Sequence, residues 1–224
     1  HERDDRAGDN VALAPVGAGE YVVLGKLASS NADKAVIGPA ELRGFFRDMV
    51  LVRGTHHEEV QRVCNQYRHP RCWSFVPGLV MTEPRDTPIN VCMDRYEWPN
   101  DKGKDPGVMY RYVEAEALCA EKGKRMCGEF EWELACEGAE RRPWPYGWRQ
   151  EKDACNSDKL YRAYDDQKLI SNDRAVRDQE VRRLWQGAAS GSHPKCVSPF
   201  GVFDLVGNVE EWVKNDRPEW PYKS

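Results

Sequence analysis

Eight cysteines, Cys64, Cys72, Cys92, Cys119, Cys127, Cys136, Cys155 and Cys196, constrain this chain more than any other feature. An even number at wide spacing suits covalent cross-links made in an oxidising compartment. Zinc sites usually show a tight CxxC pair with further Cys or His partners, and no such pair occurs here. All eight are therefore disulfide candidates, and the expected location is secreted or periplasmic, at the cell envelope or outside it. Spacing leaves the pairing open. The one local hint is that a Cys64–Cys72 link would close a polar, Pro-containing loop at small entropic cost.

The charge balance narrows the partner classes. The 33 Lys and Arg residues are spread among 37 Asp and Glu residues, for a net charge of -4. With no basic stripe, nucleic acid is not an expected partner. No apolar run reaches the length of a membrane span, so direct membrane insertion is not expected either. A 224-residue chain that is 40% hydrophobic can bury one sizeable core. The segment from His1 to Asn10 is dense in charge, predicting disorder or contact with a partner. We divide the chain into an N-terminal extension, 1–47, and a domain, 48–224.

Local patterning predicts mixed α and β structure. Glu20–Gly25 reads as a short strand, Pro39–Phe46 as one or two helical turns, and Met49–Gly54 as a buried strand ending at a glycine. Pro88–Glu97 is a further strand candidate. Tyr112–Glu121 predicts a helix with Val113, Ala117, Leu118 and Cys119 toward one buried face. Gly128–Cys136 predicts a second helix, central in the fold, with acidic residues in its first turn where the helix dipole favours them. A polar helix is expected over Asp173–Trp185. Pro143 and Pro145 preclude a helix in the aromatic loop Trp144–Trp148.

The chemistry-bearing constellations are few. His56-His57-Glu58-Glu59 superficially looks like a metal box, but neighbours in an extended segment point to opposite sides, and a solvated loop is the expectation. His193 reads as a surface residue. Trp144, Tyr146, Trp148 and Arg149 offer either a recognition patch for protein or sugar, or rings that fill the core. No G-x-S-x-G, Walker or G-x-G-x-x-G pattern supports a hydrolase or nucleotide enzyme.

Four ordered motifs carry a more specific signal: Gly123-Lys-Arg-Met-Cys-Gly-Glu-Phe-Glu-Trp-Glu-Leu-Ala-Cys-Glu-Gly138, Pro145-Tyr-Gly147, Asn156, and Gly201-Val-Phe-Asp-Leu-Val-Gly-Asn-Val-Glu-Glu-Trp212. Together they resemble the formylglycine-generating enzyme (sulfatase-modifying factor) family, and Met49–Val52 looks like that family's opening strand. The resemblance implies an α+β, compact and irregular C-type-lectin-like fold with twisted antiparallel strands and two main helices.

The same resemblance implies structural Ca²⁺ held by the Asp204 side chain, the Gly207 and Val209 carbonyls and the Glu211 carboxylate, with a second site beginning at Asn156 and Ser157. Hard oxygens on a Gly-containing loop are what Ca²⁺ requires. Family members finish with a segment carrying a catalytic cysteine pair that binds copper(I), and the domain is expected to be incomplete at its C-terminus here. No catalytic residue is therefore assigned, and Cu⁺ enters only if a further segment supplies such a pair. The resulting expectation is a calcium-stabilised, disulfide-linked module acting as a structural or protein-binding subunit, its partner a protein or the remaining C-terminal fragment. The alternatives are a copper-dependent oxidase converting a substrate cysteine to formylglycine, and a lectin-like carbohydrate binder.

Overall fold

A computed structural model describes residues 48–58, 60–81 and 85–217, together with the backbone of three strands nearer the N-terminus. Those strands, β1 (Ala12–Gly17), β2 (Glu20–Leu24) and β3 (Ala35–Ile37), form an antiparallel sheet in the order β1-β2-β3. The expected strand at Glu20 is β2. The expectations for His1–Asn10 and Pro39–Phe46 lie outside the described residues.

The body of the protein begins with β4 (Met49–His57), which pairs antiparallel with β7 (Asp86–Asp94) over its whole length. Period-2 alternation sends Val50, Val52, Ile89 and Met93 to one face, and all four are buried. That face is covered by a helix, α2 (Glu129–Glu137), through Phe130, Leu134, Ala135 and Cys136, and by Val202 and Leu205 from the C-terminal loop. Each large apolar side chain contributes roughly 1.5–3 kcal/mol by leaving water, so this single layer of contacts defines the core.

β4 extends three residues past the predicted end at Gly54, and this changes the reading of the histidine pair. The segment is not a solvated loop. His56 lies on the core face, stacked on Phe130 with centroids 4.4 Å apart, and its Nε2 meets Glu133 Oε2 at 2.6 Å. His57 points the other way, to Asp86 Oδ1 at 2.5 Å, as alternation requires. Glu59 lies outside the described residues.

Cys64 and Cys72 are bridged, but they sit on a hairpin rather than a loop. Strands β5 (Gln61–Arg68) and β6 (Arg71–Met81) pair through a two-residue turn at His69-Pro70. The polar sequence concealed this because the strands are mostly exposed and carry little apolar alternation.

The helices fall close to expectation: α1 (Tyr112–Glu121), α2, a short α3 (Asp166–Leu169) and α4 (Arg174–Leu184). Asp165 and Asp173 cap α3 and α4 by accepting backbone N–H bonds. Two departures have physical causes. Helix α1 buries no residue, and Val113 is 60% exposed, because α1 borders a cleft instead of packing on the sheet. At 11 residues, polar α4 is the longest helix among the described residues, so there are three substantial helices rather than two.

Helix α2 starts at a glycine that has no side chain to cap it. Gly128 gives its N–H to Glu131 Oε2 at 2.8 Å, one half of a capping box. The other half comes from far along the chain, where Asp216 Oδ2 accepts the Phe130 N–H at 3.1 Å. A Cβ on residue 128 would stand 2.3 Å from that same oxygen, so the glycine makes room for the remote cap. Lys214 adds backbone bonds, accepting from Glu129 N–H and donating to the Cys127 carbonyl, and Arg217 reaches the Glu129 carboxylate. We expect Asp216→Ala to lower stability by about 1–2 kcal/mol, measured by denaturant unfolding. A loss below a few tenths would mean that water caps the helix equally well.

Candidate functional site

Residues 196–211 form a tight, irregular segment against the end of β7. Val197 and Phe203 make an isolated antiparallel bridge around a turn closed by Gly201 N–H to the Ser198 carbonyl, with Gly201 at φ +86°. Cys196 is fully buried and bonded to Cys155, which fixes the neighbouring residue Asn156 beside this segment. Asp204, Gly207 and Asn208 all adopt left-handed backbone conformations, at φ 60°, 80° and 61°. The chain therefore coils on itself between Asp204 and Asn208, as a loop must if it is to turn several oxygens toward one point.

The structure brings the two predicted metal patches together. Gly207 packs so closely on Asn156 that a Cβ would stand 2.5 Å from the Asn156 carbonyl oxygen and 3.1 Å from Ser157 Cα. The Asn208 N–H donates to that carbonyl at 3.0 Å. The Asn156 side-chain amide donates to Asn208 Oδ1 at 2.8 Å and to the Gln186 carbonyl at 2.9 Å. Asn156 and Asp204 are buried, Val209 is half-buried, and Gly207 is exposed.

Asn208 is the hub that the residue-by-residue site assignment omitted. Its Nδ2 donates to Glu97 Oε2 at 2.6 Å and to the Ala188 carbonyl at 3.0 Å, and its Oδ1 accepts the Ala188 N–H at 2.7 Å. Glu97, only 4% exposed, was likewise missed, as was Ser190, whose hydroxyl donates to Glu97 Oε2 at 3.0 Å. The Gly-Asn dipeptide was the available signal, because it favours consecutive left-handed residues. Glu97 gave none, since it sits in a turn far away in sequence.

Three carboxyl groups meet around this loop under unfavourable conditions. Burial raises Glu97, and Asp204 adds to the rise, while Asn208, Ser190 and the Val209 N–H oppose it. Burial also raises Asp204, against the Gly191 N–H, which donates to Oδ2 at 2.6 Å, and a favourable contribution from His193. His193 itself is half-buried, with its Nδ1 3.3 Å from the Ser192 hydroxyl. Glu211 is pushed up to about 7, chiefly by burial, although the Trp132 indole N–H donates to its Oε2 at 2.6 Å. Glu211 is nonetheless exposed, on the wall of a cleft, so its surroundings are less apolar than those of Glu97 and Asp204. Among the described residues, no lysine or arginine holds any of the three down.

That cleft, about 1600 Å³ in volume, runs between the end of β7, α1, the start of α2 and the 204–212 loop. Cys92, Cys119 and Cys127 line it. These three and Cys136 are thiols in this structure, so the described residues hold two bridges where four were expected. Cys127 and Cys136 stand at opposite ends of α2 and cannot reach each other. Burial pushes both up to about 12, and it raises Cys92 and Cys119 as well. A reactive thiol needs the opposite environment, electropositive and accessible.

The aromatic residues singled out in the sequence pack on the β5–β6 hairpin. Trp144 lies 5.7 Å from Phe75 and 6.3 Å from Tyr146, centroid to centroid. The Trp148 carbonyl accepts the Phe75 N–H at 2.9 Å. The rings of Trp144, Tyr146 and Trp148 are half-buried and only Arg149 of the four is exposed. Among the described residues, no group of three His, Cys, Asp or Glu side chains could by itself hold a metal ion, and no helix is long and apolar enough to cross a membrane.

Comparison with known proteins adds an independent line. The sulfatase-modifying factor enzyme 1-like domain matches residues 22–222. The chain is 24% identical to the formylglycine-generating enzyme of Mus musculus over 141 residues, covering 53% of this chain and 32% of that protein. It is 28% identical to the formylglycine-generating enzyme of Mycobacterium tuberculosis over 147 residues, covering 64% and 42%. It is also 30% identical to hercynine oxygenase of Mycolicibacterium smegmatis over 124 residues, covering 53% and 24%. The chain thus spans less than half the length of these relatives.

Proposed function

Because the chain belongs to the sulfatase-modifying factor enzyme 1-like domain family, we propose that it is a calcium-stabilised, disulfide-linked module of C-type-lectin-like fold that acts as a structural or protein-binding subunit outside the cytoplasm. The observation that carries this reading is the left-handed coil at Asp204, Gly207 and Asn208, packed against Asn156, beside two buried carboxyls, Glu97 and Asp204, that burial raises with no lysine or arginine among the described residues in compensation. Such a deficit of positive charge is what a bound divalent cation offsets.

The donors are hard oxygens of the kind Ca²⁺ takes. The Asp204 and Glu211 carboxylates with the Gly207 and Val209 carbonyls would hold it, and Asn156 and Ser157 stand against the same loop. Calcium bound there would supply charge compensation and loop rigidity. The chain's own residues do the rest: the Cys155–Cys196 bond fixes the two segments relative to each other, and Asn208 locks the loop to Glu97 and Ala188. The non-catalytic character of the module draws on the four free thiols, all held protonated by burial.

Thermal melting tests the reading. Asp204→Ala should lower the melting temperature in calcium by several degrees, about 1–2 kcal/mol for loss of a charged ligand, and by distinctly less in chelator, where only the bond from the Gly191 N–H is lost. An equal loss in both conditions would remove the calcium role.

A second reading rests on the relatives' names, which are those of a formylglycine-generating enzyme and an oxygenase. In it, this chain supports an oxidase whose reactive cysteines come from a further segment. Aldehyde formation on a cysteine-containing peptide, in the presence of copper and O₂, would favour that reading over the silent module.

A further inference from the structure

Residues 157–165 lead from the buried Cys155–Cys196 bridge to α3 without forming a helix or a strand. The segment is nonetheless fastened. Gln186 Nε2 donates to the Leu160 carbonyl at 3.1 Å, Arg162 donates to the Arg183 and Trp185 carbonyls at 2.9 and 3.0 Å, and Arg183 donates to the Ala163 carbonyl at 2.6 Å. Glu180, 1% exposed and paired with Arg183, accepts the Asp165 N–H at 2.9 Å. All of these bonds lead inward, to α4 and the two residues after it. What the segment leaves to solvent is apolar: Leu160 is 87% exposed, Tyr161 79%, and Tyr164 and Ile170 are each more than half exposed. Single exposed apolar residues are ordinary, but three within five positions on a fastened segment concentrate apolar surface as interaction sites do. The ordering cost of such a surface is met before any partner arrives.

The charges at its ends say what fits. Lys159-Leu-Tyr-Arg-Ala-Tyr-Asp-Asp166 has a cation at one end, an acid at the other and two tyrosines placed symmetrically between them. Neither Lys159 nor Asp166 has an ion pair among the described residues, whereas Asp165 is engaged by Lys168. Laid antiparallel on a second copy of itself, the segment sets Lys159 opposite an aspartate and Tyr161 opposite a tyrosine. We propose that it is a self-complementary docking surface through which two copies of this chain associate about a two-fold axis, with Lys159 against Asp166 of the partner subunit and Tyr161 against the partner's Tyr164. Symmetry makes every such contact twice. Tyrosine suits the role, since it brings large contact area with few rotatable bonds. A contact of this size is small and therefore weak. The calcium loop takes no part in it, so the proposal stands or falls apart from the calcium reading.

The experiment is sedimentation velocity of the disulfide-intact chain at low salt, over a concentration range of about 10 µM to 1 mM, where weak association becomes visible. The unaltered chain should pass from monomer toward dimer as concentration rises. Tyr161→Ser combined with Tyr164→Ser should hold it monomeric throughout. Lys159→Asp or Asp166→Lys alone should weaken association about tenfold, because two-fold symmetry turns both ion pairs into repulsions. Both charge substitutions in one chain exchange the two signs without removing them, and should restore the affinity of the unaltered chain. All four side chains are exposed, so melting temperatures should stay close to that of the unaltered chain and loss of association is not loss of fold. A monomer over the whole range would overturn the proposal. Association that survives the tyrosine substitutions, or that the charge exchange fails to restore, would overturn it as well.

Discussion

Replacing Cys155 and Cys196 together by alanine is expected to lower the unfolding free energy by about 4 kcal/mol, the cost of releasing a loop of this size in the unfolded chain. The bridge spans 41 residues, and both cysteines are almost completely enclosed, Cys196 at 0% and Cys155 at 4% exposure. The position matters as much as the loop length. Cys155 precedes Asn156, and Cys196 accepts the Asp204 N–H through its carbonyl at 3.0 Å, so the bond holds both halves of the candidate site in register. The variant should therefore lose calcium-dependent stabilisation along with intrinsic stability. Cys64 and Cys72 provide the internal comparison: their separation of 8 residues on an exposed hairpin predicts a distinctly smaller loss. Denaturant unfolding followed by tryptophan fluorescence decides the matter. Equal losses for the two pairs would show that the buried bridge has no special part in joining the segments.

Gly207→Ala is the second substitution for which we expect a large effect, about 3 kcal/mol, which for a chain of this size is roughly 6–12 °C in melting temperature. Two costs coincide there. Gly207 sits at φ +80°, where a side chain is strained, and the added Cβ would meet Asn156 backbone atoms at 2.5 and 2.9 Å. Backbone held by a neighbouring disulfide cannot move aside as a flexible side chain would. Gly201 is the control, with φ +86° but only the Arg95 guanidinium at 3.3 Å as its nearest neighbour. Gly201→Ala should cost about 1 kcal/mol, the backbone contribution alone. If the two substitutions cost the same, the close packing of the loop on Asn156 is not maintained in solution.

These contrasts show what the sequence conveyed. The strands that cover the core were legible because Val50, Val52, Ile89 and Met93 alternate, and α2 was legible because Phe130 and Leu134 recur at helical spacing. The loop was legible as a motif, with Asp204, Gly207 and Glu211 at fixed offsets. What stayed hidden depends on long-range encounters. The Asp216 cap of α2, the contact of His56 with Glu133 and the Glu97–Asn208 contact join residues separated by 77 to 111 positions, and no local pattern reports them. The β5–β6 hairpin was hidden for a different reason: its exposed polar faces carry little hydrophobic period. Helix α1 misled in the opposite sense, since Leu118 and Cys119 line a cleft rather than the core and Val113 is exposed.

The four thiols repay the same comparison. Cysteine count alone argued for a fully bridged chain, whereas only the residues brought side by side by the hairpin and by the buried loop are joined. Cys127 and Cys136 are placed by α2 in apolar surroundings that keep them protonated, which is a matter of burial that spacing does not encode.

Native mass spectrometry of the disulfide-intact protein, incubated with calcium and then exchanged into volatile buffer, tests the central claim most directly. The account predicts a folded species retaining bound calcium, lost on chelation and absent in Asp204→Ala. A folded protein that carries no calcium, and melts at the same temperature with calcium as with chelator, would contradict it.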